Sequence, residues 1–173
     1  VVINGTCLDF MAESFMAGDP LNGGGFVILN GMFRDDRGAW AEQPVPYPGS
    51  NIFSLASGGA IYVRDPHRRM VDAQLNGAAY HDLTDADWQL IEPYLRENER
   101  LFGLPVERLL TVDGAVREPA AVYRKIAAVK LQVLAAVRED EPDCETAAHA
   151  VHAAKPSAGG ADETEEEPAG AAT

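Results

Sequence analysis

Gly24-Gly25-Phe26-Val27-Ile28-Leu29-Asn30-Gly31 returns in altered form as Gly58-Gly59-Ala60-Ile61-Tyr62-Val63-Arg64-Asp65. Each copy is a glycine pair, a run of four apolar residues and a polar stop. Upstream, Val1-Val2-Ile3 closes on Asn4-Gly5, so Ile-Asn-Gly at 3–5 matches Leu-Asn-Gly at 29–31. Four-residue apolar runs bounded by glycine read as short buried strands, because a helix needs greater length. A unit that repeats without being able to bury its own apolar face has to stack on copies of itself. The expectation is a mainly β fold with an α extension, in which residues 1–82 form the coils of a parallel β-helix with glycine at the corners. An ordinary antiparallel sheet with glycine-rich turns is the alternative; the long, similar connections speak against two-residue hairpins.

Residues 32–50 break the repeat and read as an insertion from one coil. Arg34-Asp35-Asp36-Arg37-Gly38 is a polar turn, and Pro44, Pro46 and Pro48 then hold the chain extended. Trp40 and Tyr47 on this loop either cover its base or anchor a partner. The chain changes character at residue 83, and residues 83–138 are expected to be a helical extension. Thr84 with Asp85 and Asp87 caps an apolar series at Trp88, Ile91, Leu95 and Phe102, Gly103 ends it, and Pro93 starts a new turn or kinks it. A short helix at 105–110 and a turn at Asp113-Gly114 follow. Pro119 opens a last helix whose stripe is Val122, Ile126, Val129, Val133 and Val137, spaced to pack on the β-helix or on another chain. Residues 139–173 read as an acidic, low-complexity, disordered tail.

The net charge of −13 sits mainly in that tail, where ten acidic groups face Lys155 alone and leave −4 for residues 1–138. A mildly acidic body without a basic stripe argues against nucleic acid as a partner. No apolar run approaches the roughly 18 residues that span a bilayer, so no membrane segment is expected and the protein should be cytoplasmic. The first apolar run begins at residue 1, as if the chain were trimmed or docked on another protein there. Composition, at 46% hydrophobic, fits a single domain with an adequate core.

Candidate chemistry is sparse. Cys7 and Cys144 show neither metal nor redox spacing, and Cys7 reads as a buried small hydrophobe. His149 and His152 share a helical spacing but have no third ligand. His67, Arg68 and Arg69 form a small basic cluster that reads as a solvated loop. Asp9 and Glu13 read as solvated polar positions rather than an acid/base pair. Ser54 and Ser57 lack a nucleophile elbow, and Gly18 to Gly25 lacks the Lys-Ser or Lys-Thr of a phosphate loop. No catalytic, cofactor-binding or metal residues are therefore assigned. A stand-alone ester or amide hydrolase stays open only if distant segments bring Ser57 to His67 or His81.

Glu13-Ser14-Phe15-Met16-Ala17-Gly18 and the two glycine-led segments above resemble the glycine-repeat domain at the C-terminal end of the glutamate synthase large subunit. The run from Leu83 to Phe102 also looks like the segment that follows those coils, especially in the archaeal-type stand-alone version. The match covers residues 1 to 130. This resemblance implies a right-handed parallel β-helix and a non-catalytic scaffold role. It also implies partner subunits that carry the glutaminase site and the FMN and iron–sulfur synthase site, with no cofactor in this chain. The chain departs from the family in its long 32–50 insertion and its few visible coils. The same repeat occurs in a structural polypeptide of formylmethanofuran dehydrogenase, and a scaffold of that enzyme is the alternative; a homo-oligomer also stays open.

Overall fold

The computed structural model describes residues 1–13 and 16–129 of the 173. They belong to one compact unit, Val1–Val137, while the second unit, Arg138–Thr173, lies outside the described residues together with the expected tail. The elements in chain order are β1 (Val2–Ile3), β2 (Phe26–Leu29), β3 (Met32–Arg34), β4 (Trp40–Glu42), β5 (Ala60–Arg64), β6 (Ala78–Asp82), α1 (Asp85–Phe102), α2 (Val106–Leu110), β7 (Thr111–Val112), β8 (Ala115–Val116), α3 (Pro119–Val122) and β9 (Tyr123–Ala128).

The three apolar runs lie side by side as parallel strands. Val2 pairs with Ile28 and Ile28 with Tyr62, while Ile3 pairs with Leu29 and Leu29 with Val63. Glycine makes the corners close enough for this. A Cβ on Gly59, which sits at φ +88°, would lie 2.7 Å from the Gly25 carbonyl oxygen and from Met16 Cβ. One on Gly58 would lie 2.6 Å from the backbone nitrogen of Gly18. The polar stops stack as well. Asn30 Nδ2 donates to Asn4 Oδ1 at 2.9 Å, Asn4 and Asn98 of α1 exchange hydrogen bonds at 3.1 and 2.8 Å, and Tyr123 donates its hydroxyl to Asn30 Oδ1 at 2.8 Å.

The parallel β-helix expected over residues 1–82 is overturned. The sheet has five strands in the order β1-β2-β5-β9-β6, with β9 antiparallel to both β5 and β6, and the other sheets are the two-stranded hairpins β3-β4 and β7-β8. The architecture is mixed α/β, with no solenoid sheet among the described residues. Two things work against coils. Strand β9 occupies the side of β5 where a fourth parallel copy would stack. The segments between the runs also turn irregularly, with Phe10, Ala12, Asn51, Phe53 and Leu55 all at positive φ, and a single parallel bridge, Ile52 with Leu75, in place of a second strand layer.

Each sheet face has its own core. Val27, Leu29, Ile61, Val63 and Ile126 pack under the irregular segments, against Met16, Tyr47, Ile52 and Phe53. Ile28, Ala60, Tyr62 and Tyr123 pack under α1 and α2, against Ile91, Leu95, Val106 and Leu109. The 32–50 insertion is the β3-β4 hairpin plus a return that bends at Pro44–Pro46 where an extended run was expected. Its Tyr47 is fully buried, with the hydroxyl on Ser50 O and its pKa pushed up to about 12 by burial. Trp40 donates Nε1 to Gly103 O at 2.7 Å with Arg34 over its ring, so both aromatics are used within the chain.

Helix α1 starts on Thr84 through a capping box with Asp87 and ends at Gly103, in the left-handed conformation at φ 64°. It continues through Pro93 as one helix, so the proline does not start a new element. The proline is exposed while Ile91 and Leu95 on either side of it are fully buried, so packing secures the turn where a donor is missing. The expected helix from Pro119 is also corrected. It ends at Val122, and 123–128 is β9; Val133 and Val137 of its stripe lie outside the described residues. Val122, the last residue of α3, packs on the α1 side of the sheet and Ile126 on the other, so their spacing of four marks no common face.

Candidate functional site

A set of interacting charged and polar groups lies where α1 meets the sheet. Asp87 is fully buried at the first turn of α1. Its Oδ1 accepts from Tyr62 Oη of β5 and from Lys125 Nζ of β9, both at 2.7 Å, and its Oδ2 accepts from Thr84 Oγ1 at 2.7 Å and from the Thr84 amide at 3.1 Å. Burial works against ionisation of Asp87, but the bonds from Lys125, Thr84 and Tyr62 outweigh it and hold the carboxyl below its usual range. The Tyr62 phenol moves the other way, pushed up by burial and then by the Asp87 carboxylate. The set is thus a carboxylate, an ammonium and a neutral phenol with complementary partners.

Of the three ionisable groups Lys125 is the one that reaches solvent, with 17% of its side chain exposed, beside the exposed Thr84. It lines two adjoining grooves with Ala127 and Ala128. One, of about 430 Å³, continues to His81 and Asp82; the other, of about 320 Å³, continues to Gly18, Asp19 and the Gly58-Gly59 corner. The grooves present one ammonium, small apolar side chains and carboxylates at the rim. That chemistry holds or positions a polar group; among the described residues it includes no activated nucleophile and no cluster suited to a metal.

A second buried charge lies behind it. Arg64, 3% exposed, donates Nε to Leu109 O at 2.6 Å and Nη2 to Glu42 Oε1 at 2.7 Å and Thr111 O at 3.0 Å. Burial opposes charge on Glu42, but Arg64 overrides it and keeps the carboxyl below the usual range. Asp65 accepts from the Arg69 and Met70 amides and pairs with Arg124 at 3.2 Å, which itself stacks 3.5 Å above the Tyr80 ring. These ions tie α2, the hairpins and the 65–70 turn to β5 and β9.

No family model, curated protein or solved structure matches this chain.

The residues singled out from sequence are dispersed. Ser57 Oγ donates to Met16 O at 3.5 Å, His67 faces Glu42 at 3.7 Å, and His81 is exposed on β6 opposite Lys125; among the described residues no hydrogen bond joins Ser57 to either histidine. Asp9 takes the Ser50 amide and hydroxyl, which lower its pKa, while Glu13 is exposed. Cys7 donates its thiol to Met11 Sδ at 3.0 Å, and burial raises its pKa. Arg69 donates to Pro44 O; the neighbouring Arg68 is exposed at φ 52°. Cys144, His149 and His152 lie outside the described residues. Sequence reasoning recognised Asp87 as a capping acid but missed its link to Tyr62 and Lys125. The available signal was a lysine flanked by the strand-favouring Val122, Tyr123 and Ile126.

Proposed function

We propose that this chain is a non-catalytic scaffold subunit of a glutamate synthase-type oxidoreductase complex, acting in the cytoplasm and docking against subunits that carry the glutaminase and the FMN and iron–sulfur chemistry. The observation that carries the reading is the equal-register stacking of the two glycine-led runs, with Gly58 and Gly59 against Gly18 and Gly59 against Gly25. These are the segments on which the resemblance rests. The use of the buried ions supports it: Asp87, Arg64 and Asp65 are each bonded to groups of other elements, an investment in fixed geometry. A rigid body of this kind suits the relative placement of larger partners, and the cofactors belong to those partners under this reading.

The test is affinity purification from the native host, with mass spectrometry of co-purifying proteins and an absorbance scan. Co-purification with a flavin-containing synthase subunit and a glutaminase subunit is the expected result. Molybdenum or tungsten partners would move the assignment to a formylmethanofuran dehydrogenase scaffold, and a lone colourless protein that hydrolyses esters would overturn both.

A further inference from the structure

We propose that Asn76-Gly77 is a site of spontaneous covalent modification, at which Asn76 converts to aspartate and isoaspartate while the chain's other Asn-Gly pairs resist. The sequence holds four such pairs, at Asn4, Asn22, Asn30 and Asn76. In this reaction the backbone nitrogen of the glycine gives up its proton and attacks Cγ of the asparagine. The new C–N bond closes a cyclic imide, the Cγ–Nδ2 bond breaks, and ammonia leaves with the proton. Water then opens the imide at either carbonyl. Glycine favours the attack because it has no Cβ to obstruct it. Folding controls it through two requirements, a side-chain amide free to turn and a glycine N–H that is not held elsewhere.

The pairs differ in how the side-chain amide is held, and at Asn22 and Asn30 in the glycine N–H as well; the Gly5 N–H, like that of Gly77, makes no hydrogen bond among the described residues. Asn30 is fully buried, its side chain bonded to Asn4 and Tyr123, and the Gly31 N–H is held on Gly5 O at 3.0 Å. Asn4 is fixed by three side-chain bonds to Asn30 and Asn98. Asn22 is exposed, but its amide is held on Asp19 Oδ2 at 2.7 Å and the Gly23 N–H on Pro20 O at 3.3 Å. Asn76 is exposed and its side chain makes one long bond, 3.2 Å to Asn51 Oδ1. The Gly77 N–H makes no hydrogen bond among the described residues, and Gly77 sits at φ 75°.

The site lies between two anchors, since the Asn76 amide donates to Ile52 O at 2.8 Å and Gly77 O accepts from the Val129 amide at 3.0 Å. Isoaspartate adds a methylene to the main chain between them. Aspartate places a carboxylate against Asn51 Oδ1, two acceptors face to face.

The experiment incubates the full chain in mildly alkaline buffer, folded and in urea, and follows each Asn-Gly peptide by mass spectrometry for the exchange of NH2 for OH, with an enzymatic isoaspartate assay. In urea all four peptides convert at similar rates. In the folded protein the Asn76 peptide converts at close to its urea rate while the other three slow severalfold or more, and Asn76→Gln abolishes conversion in that peptide alone. Protection of Asn76 equal to that of Asn30, or faster conversion at Asn22, would overturn the proposal.

Discussion

Asp87 accepts hydrogen bonds from Thr84, Tyr62 and Lys125, three groups supplied by the start of α1, β5 and β9. Asp87→Asn keeps the shape and removes the charge, leaving Lys125 without its counter-ion; the expected loss is about 2 kcal/mol, below that of a fully buried pair because Lys125 still touches water. Urea unfolding measures it, and an unchanged midpoint would show the network to be energetically idle. The pH dependence follows from the lowered pKa of Asp87. Its contribution is fully present above the ordinary aspartate value near ~3.9 and is lost as pH falls through the lower folded value, so the wild-type urea midpoint drops faster on acidification than that of Asp87→Asn. A parallel decline in both proteins would place the acid sensitivity elsewhere. At this scale the sequence was half legible. The Thr84–Asp87 cap follows from residues three apart, whereas the partners of Asp87 lie 25 and 38 positions away and no local pattern announces them.

Among the elements, the glycine-led strands were the most legible, since the apolar runs between glycine pairs became β2 and β5. Gly59 needs both its positive φ and its missing Cβ, so Gly59→Val is expected to cost about 3 kcal/mol in strain and displaced backbone. Thermal melting checks this, and retention of the wild-type midpoint would mean that the corner is slack. The Asn4–Asn30–Asn98 ladder gives a second test: Asn98→Leu removes both bonds to Asn4 and should cost about 2 kcal/mol. Strand β9 was misread for a physical reason. The spacing of Val122, Ile126 and Val129 imitates a helical stripe, and what makes 123–128 a strand, pairing with Ala60–Arg64 on one side and Ala78–Asp82 on the other, is nonlocal. The coils failed similarly. Stacking of the repeats could be read from their likeness, but the irregular backbone between them could not.

For the molecule as a whole, the topology predicts how function and folding respond to larger changes. If rigidity rather than catalysis is what the chain supplies, the triple change Ser57→Ala, His67→Ala, His81→Ala leaves partner recovery intact. Loss of an ester- or amide-cleaving activity in that variant would instead restore the hydrolase reading. Because β9 joins β5 to β6, a chain ended at residue 118 should lose cooperative unfolding altogether rather than a fraction of its stability, as circular dichroism in urea would show. Strand β9 also sets a schedule. On a ribosome adding about 5–20 residues per second, several seconds separate the synthesis of Arg64 from that of Tyr123. Throughout that interval the nascent chain carries β5 with one side unpaired, followed by β6 with no neighbour at all. A strand that joins the sheet only after both of its neighbours have been made leaves two strands exposed in the interval, and the speed of translation across residues 65–122 is expected to set how long that exposure lasts.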